Sequence, residues 1–254
     1  MSNLKKSKNI KIVGYMPAFN TSKTIEKTIK DIPTHWIDEL FLVDNASTDN
    51  TVKTAKKLKI DTIIHTTNRG YGGSQKTGYK TALQKKADII VMIHSDYQYD
   101  ATKIPQLVMP IIQQDYDIML GSRIRTRKEA LAGGMPLYKY LSNRFLTLTQ
   151  NITYGLSLSE YHTGLRAFSK KSLETIPFEK LSNNWVFDQE ILASAIALNF
   201  KIGEIPVPVR YYDDSSSCSM FNSIIYGLET LRCLSQFIFL NNSFYTHPHF
   251  IPNK

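Results

Sequence analysis

Ile89-Ile90-Val91-Met92-Ile93-His94-Ser95-Asp96-Tyr97-Gln98 opens as an unbroken apolar run and ends in a polar cluster around one carboxylate. A hydrophobic strand that delivers a carboxylate at its carboxyl end is how open α/β sheets build ligand sites. On a locally extended chain alternate residues face one side, so His94, Asp96 and Gln98 would line one pocket. That set suits a divalent cation neutralising a phosphorylated ligand. An ordinary strand-to-loop junction reads the same way, so the flanking segments decide.

Strand and helix patterns alternate around this stretch. Ile10–Tyr15, Leu40–Asp44, Asp61–His65 and Asp117–Leu120 read as further strands. Helical patterns cover Ser22–Lys30, a segment from about Thr48, Ser74–Lys86 and Lys103–Gln114. Strands alternating with helices of about ten residues predict βαβ units, hence a mainly parallel sheet with helices on both faces. After Ile124 the rhythm changes. Leu137–Tyr154 and Val186–Leu198 read as helices, Gly164–Phe168 as a short strand, and 200–212 as two strand pieces around Pro206 and Pro208. A final helix is expected over Phe221–Leu240.

Four loops follow successive strands: Met16–Asn20, Val43–Asp49, Asn68–Gly73 and His94–Gln98. In a parallel sheet all four open on one edge, which makes a nucleotide-sized site. Two familiar phosphate loops are excluded. Gln75 stands where the dinucleotide fingerprint needs its third glycine, and Tyr79 stands where a P-loop needs lysine.

The chain of 254 residues is 42% hydrophobic and 21% charged, as globular proteins are. Its +9 formal charge points to polyanionic partners. No reading helix or aromatic basic patch supports nucleic acid. Cys218 and Cys233 form neither a disulfide framework nor a zinc motif, which fits a reducing compartment. The polar start of the chain resembles no signal peptide, and Glu229 and Arg232 interrupt the last apolar stretch. The expectation is a cytoplasmic protein, either free or peripheral on a membrane.

The series Pro17-Ala18-Phe19-Asn20, Val43-Asp44-Asn45-Ala46-Ser47-Thr48-Asp49, Asn68-x-Gly70-x-Gly72 and Ser95-Asp96-x-Gln98 resembles family 2 of the inverting glycosyltransferases. Gly121-Ser122-Arg123, Thr163–Phe168 and Phe187-Asp188-Gln189-Glu190 continue the match in order across residues 10–215. Within that family the chain is most similar to the dolichyl- or polyprenyl-phosphate sugar synthases. The resemblance implies a GT-A fold with a carboxyl-terminal helix. It divides the chain into a basic, flexible 1–9, a transferase domain over 10–215 (a nucleotide-sugar half to 123, an acceptor half from 124) and a helix with tail over 216–254.

The resemblance also implies residue roles. Pro17, Ala18, Asn20, Asp44, Asn68, Gly70, Gly72, Ser95 and Gln98 would hold a UDP- or GDP-sugar. Asp96, with His94, would hold Mg²⁺ or Mn²⁺. Asp188, Glu190 and Arg123 are the catalytic candidates. Arg144, Glu160 and Arg166 are placed on the side of the acceptor, a polyprenyl phosphate or a glycan. His94 departs from the family, which commonly has a second Asp there. Histidine brings no fixed negative charge and suits Mg²⁺ less well than Mn²⁺.

Two other functions remain in view. A nucleotide-sugar-binding relative that has lost catalysis through His94 is one. A sugar-phosphate nucleotidyltransferase is the other, although Met16–Asn20 lacks the glycines and basic residues it needs. The last helix carries more apolar positions than one face requires. Core packing, an oligomer contact and a bilayer interface are all open to it.

Overall fold

Among the described residues seven strands make one sheet: β1 (Ile12–Ala18), β2 (Glu39–Asp44), β3 (Asp61–Ile64), β4 (Ile89–Met92), β5 (Ile118–Ser122), β6 (Arg166–Ser169) and β7 (Ile202–Pro206). Their order is β3-β2-β1-β4-β6-β5-β7, and only β6 runs antiparallel to its neighbours. The computed structural model describes residues 9–124, 126–208 and 220–240. The second strand piece toward Tyr212, Cys218, most of the basic amino terminus and the 215/216 boundary lie outside the described residues.

The helices are α1 (Ile25–Asp31), α2 (Thr51–Lys57), α3 (Gly70–Gln84), α4 (Ile104–Ile112), α5 (Arg127–Ala132), α6 (Leu137–Tyr154), α7 (Lys170–Thr175), α8 (Phe187–Ala197) and α9 (Met220–Leu240). Strand residues alternate between two buried layers. Val13, Tyr15, Ile90 and Met92 face one, packed with Tyr79, Phe168 and Phe187. Ile12, Met16, Ile89 and Val91 face the other, with Ile104, Leu107 and Val108 of α4. Burial on both faces is why the strands read as continuous apolar runs. This is a Rossmann-like α/β fold of the GT-A kind, with α9 packed across α6 and α8.

Three expectations change. Helix α3 starts at Gly70, not Ser74, so the glycines form its first turn. The Gly72 amide donates to the Asn183 carbonyl at 2.8 Å, and a Cβ on Gly72 would lie 2.6 Å from the Ser182 carbonyl. Helix α5 was not anticipated, although Thr126-Arg127-Lys128-Glu129 carries a capping sequence. The Thr126 hydroxyl accepts from the Glu129 amide at 3.1 Å. Helix α7 was also missed; the Ser169 hydroxyl caps it.

Because β6 runs backwards, its first residue lies at the same sheet edge as the carboxyl ends of β1, β2, β4 and β5. Arg166 pairs in register with Met92. Thr163, Gly164 and Leu165 therefore join the four strand-end loops. No described helix is long and apolar enough to cross a membrane.

Candidate active site

A cavity of about 590 Å³ opens at this edge, a size suited to a small organic ligand. Pro17 and Ala18 from the end of β1, Asn45 after β2, and Asn68 with Gly70 before and in α3 line one wall. Asp96, Gln98 and Arg123 line the middle, and Asp188 and Trp185 stand at the start of α8. Tyr138, Ser142 and Leu146 of α6 and Ser223 and Tyr226 of α9 close the far side.

The loops keep this shape through strained backbone and buried hydrogen bonds. Asn20, Ala46 and Tyr97, one in each of three loops, adopt positive φ of 54°, 64° and 62°. For residues with a Cβ this costs on the order of 1–2 kcal/mol each, so the surroundings must impose it. The Asn45 amide donates to Asn68 Oδ1 at 2.9 Å and to the Gly70 carbonyl at 3.1 Å. Its carbonyl oxygen accepts from the Arg69 amide at 2.9 Å. Asn45 thus ties the second loop to the third.

The segment after β4 is a turn, not the extended chain expected, because Tyr97 is left-handed. The Gln98 amide donates to Asp96 Oδ1 at 3.2 Å across it. His94, Asp96 and Gln98 still all reach the cavity. The Ser95 hydroxyl is turned away, donating to the Pro17 carbonyl at 2.8 Å, and Thr24 holds the Ser95 carbonyl. Ser95 therefore clamps two loops together.

His94 packs against Gly164, where any Cβ would overlap its ring. Its Nε2 lies 2.9 Å from the Tyr71 hydroxyl, which donates to Asp188 Oδ2 at 3.2 Å. Burial first, then the Asp188 charge, pushes the Tyr71 pKa well above its usual value, so the hydroxyl keeps its proton. With the Tyr71 O–H directed at Asp188, the Tyr71 oxygen is left to accept from His94 Nε2–H, the tautomer in which Nδ1 keeps the lone pair. Burial lowers the His94 pKa, opposed by the charges of Asp96 and Asp188.

Two ion pairs flank the cavity. Arg166 is fully buried and pairs with Asp188 Oδ2 at 2.9 Å, while Gln75 donates to Asp188 Oδ1 at 2.7 Å. Arg123 lies against Glu160, which takes the Arg123 amide at 2.7 Å, the side-chain Nε–H at 3.0 Å and the Asn143 amide at 2.8 Å. Glu160 is itself fully buried. Its Arg123 partner stands beside the Tyr99 ring, within the cavity wall.

Several expected residues sit elsewhere. Asn20 caps the 47–49 loop from outside, accepting from the Thr48 amide at 2.8 Å. Asp44 accepts from the Ser47 amide behind the wall, at 3.1 Å. Gly72 faces the 182–187 segment. Glu190 points away from the cavity and takes the Ser182 amide at 2.7 Å; two residues on from Asp188, it occupies another helical face. Burial raises its pKa. Arg144 donates to the Ser159 carbonyl at 2.7 Å. Arg166 and Glu160 support the cavity from within the core, and no cavity surface is theirs. The sequence reading passed over Tyr71, Gln75, Trp185, His162 and Asn143. Trp185 stacks on Tyr71 at 4.3 Å with 42% of its surface exposed. A tryptophan two residues ahead of the Phe187–Glu190 motif was the available clue.

Among the described residues no three His, Cys, Asp or Glu side chains gather into a protein-only metal cage. The Asp96 carboxylate and the Gln98 side-chain carbonyl oxygen nevertheless fit a hard cation that takes its remaining oxygens from a bound diphosphate, the usual mode for Mg²⁺.

Comparison with known proteins matches residues 15–176 to the model for glycosyl transferase family 2. The chain belongs to that family. It is a glycosyltransferase. It is 31% identical over 217 residues to the UDP-N-acetylglucosamine–dolichyl-phosphate N-acetylglucosaminyltransferase of Methanococcus voltae, covering 79% of this chain and 86% of that one. It is 22% identical over 209 residues to the undecaprenyl-phosphate mannosyltransferase of Micrococcus luteus, covering 78% and 83%. In fold it resembles glucosyl-3-phosphoglycerate synthase from Mycobacterium tuberculosis, with TM-score 0.68 and 18% identity over 97% of this chain and 82% of that one. That enzyme has been crystallised with Mn²⁺ and UDP-glucose, and with Mg²⁺ and UDP.

Proposed function

We propose that this glycosyltransferase moves a hexose from a UDP- or GDP-sugar to a polyprenyl phosphate, with inversion and with a divalent cation. The observation that carries the reading is Asp96, a buried carboxylate at the end of β4 that faces a nucleotide-sized cavity. The names of the two relatives above support a lipid-phosphate acceptor.

Asp96 would hold Mg²⁺ or Mn²⁺, with Gln98 beside it. The cation, when bound, stabilises negative charge developing on the leaving nucleoside diphosphate. Pro17, Ala18, Asn45, Asn68 and Gly70 form the wall for base and ribose. Arg123, aimed by Glu160, adds positive charge near the phosphates. In the transfer an acceptor oxygen attacks the anomeric carbon from the face opposite the diphosphate. One carbon–oxygen bond forms as the other breaks, which inverts the centre.

An acceptor phosphate is already ionised and needs no base, whereas a hydroxyl does. Both oxygens of Asp188 are engaged, by Gln75, Arg166 and Tyr71. Asp188 therefore orients groups at the cavity floor, and this favours a phosphate acceptor over a glycan hydroxyl.

A thermal-shift panel of nucleotide sugars with Mn²⁺ or Mg²⁺ identifies the donor, which is then offered to polyprenyl phosphate and to simple glycans. Transfer to the lipid phosphate, lost in Asp96→Ala and on chelation, is expected. Donor turnover that survives both treatments overturns the proposal.

A further inference from the structure

We propose that the outward faces of α6 and α9 together form a docking surface for an anionic lipid bilayer, with the cavity opening at its edge. On α6, Leu137, Leu141, Phe145, Leu148 and Ile152 recur every three or four residues, and each is more than half exposed. On α9, exposed Ile224, Leu228, Leu231 and Ile238 are spaced by four, three and seven residues, with Phe239 beside them. Such spacing puts each set on one helical face. The opposite faces are buried through Asn143, Leu146 and Thr147 of α6 and through Thr230, Cys233 and Leu234 of α9. The helices pack on each other, with Leu146 4.0 Å from where a Cβ of Gly227 would stand. Two helices that pack on each other therefore each carry an exposed apolar stripe, a feature that marks interaction sites when such residues cluster.

Two observations select a bilayer as the occupant. The first is continuity with the cavity. Tyr138 is both 41% exposed and cavity-lining, and Ser142, Ser223 and Tyr226 of the same two helices line the cavity too. The same two helices therefore supply both the exposed apolar residues and part of the cavity wall, so a hydrocarbon chain emerging beside them would meet apolar side chains. The second is charge. Lys139 lies on the cavity wall, Arg232 within the exposed face of α9, and exposed Arg127 and Lys128 on α5, which packs against α6. Glu129 on α5 and Glu229 on α9 are the acidic residues of the three helices, against Arg127, Lys128, Lys139, Arg144 and Arg232. Basic residues beside an apolar helical face are the composition that anionic lipid surfaces attract.

The inference rests on the lipid-acceptor reading of the same cavity, and one experiment separates the two. The full chain is floated with vesicles of phosphatidylcholine alone and with equal parts phosphatidylglycerol. Phe145→Asp/Ile152→Asp on α6 and Leu228→Asp on α9, none of them cavity-lining, are run beside it. Wild type is expected to float with the anionic vesicles more than with the neutral ones. Each variant should lose about tenfold or more of that binding and keep its thermal shift with the donor. Transfer to a short, water-soluble prenyl phosphate should also be unchanged in the variants. Wild type that floats with neither vesicle overturns the docking surface even if the soluble acceptor is glycosylated, as does binding that the variants retain. A dimer that the same substitutions split, without vesicle binding, overturns it in favour of a second copy. Vesicle binding without any prenyl-phosphate transfer leaves the surface standing and removes the acceptor.

Discussion

Arg166, fully buried, holds the Asp188 carboxylate at 2.9 Å where Asp188 meets the cavity. The pair joins the first residue of β6 to the first turn of α8, and so fixes the cavity floor to the sheet. Removing one partner strands a charge in the core. Arg166→Met should cost about 3–5 kcal/mol of stability, and Arg166→Met/Asp188→Asn should recover part of it. Urea unfolding of both variants checks this; equal midpoints would contradict the assignment.

Gly72 sits where α3 meets the segment ahead of α8. A Cβ there would lie 2.6 Å from the Ser182 carbonyl and 2.7 Å from Phe187 Cβ, neither the far end of a flexible side chain. Gly72→Ala should therefore destabilise by about 1–3 kcal/mol through overpacking. Thermal unfolding measures it, and a neutral result would mean that the two segments separate freely.

Tyr71 contributes a hydroxyl and a ring separately. Tyr71→Phe keeps the Trp185 stack but removes the bridge between His94 and Asp188. The expected result is a fall in kcat with KM little changed, together with about 1 kcal/mol of lost stability. Trp185→Ala removes an exposed aromatic face from the cavity rim and should raise KM instead. Steady-state kinetics on both variants separate the roles; matching profiles would refute the distinction.

His162 predicts a pH dependence. Burial, with the nearby charges of Arg123 and Arg166, holds its pKa down to about 3. In the unfolded chain it titrates near 6.5. Between those values the unfolded state binds a proton that the native state refuses, so stability falls as pH drops below about 6.5. His65 and His94, both lowered chiefly by burial, act in the same direction. Chemical unfolding between neutral and mildly acidic pH should show the decline. His162→Gln should flatten it while keeping a partner for the Tyr226 hydroxyl, now 2.8 Å from Nδ1. An unaltered slope would remove His162 from the account.

The order of elements was readable from one sequence because both faces of the sheet are buried and each strand ends in a polar loop. The turn at Tyr97 was not, since nothing in that residue type demands a left-handed backbone. The capping sequence at Thr126 does mark the start of α5, since its hydroxyl accepts from the Glu129 amide.

By itself, the sequence determined the βαβ alternation and placed Pro17, Asn68, Asp96 and Gln98 at strand ends. Parallel strands point their carboxyl ends to one edge, so the gathering of those loops follows from order alone. Only the tertiary structure decided which charges face the cavity and which support it. Arg123 meets Glu160 across 37 residues and Arg166 meets the Asp188 backbone across 22. Those pairings arise because β6 enters the sheet antiparallel between β4 and β5. Strand polarity is a property of the packed sheet, and a buried charge takes whichever partner that packing brings within reach.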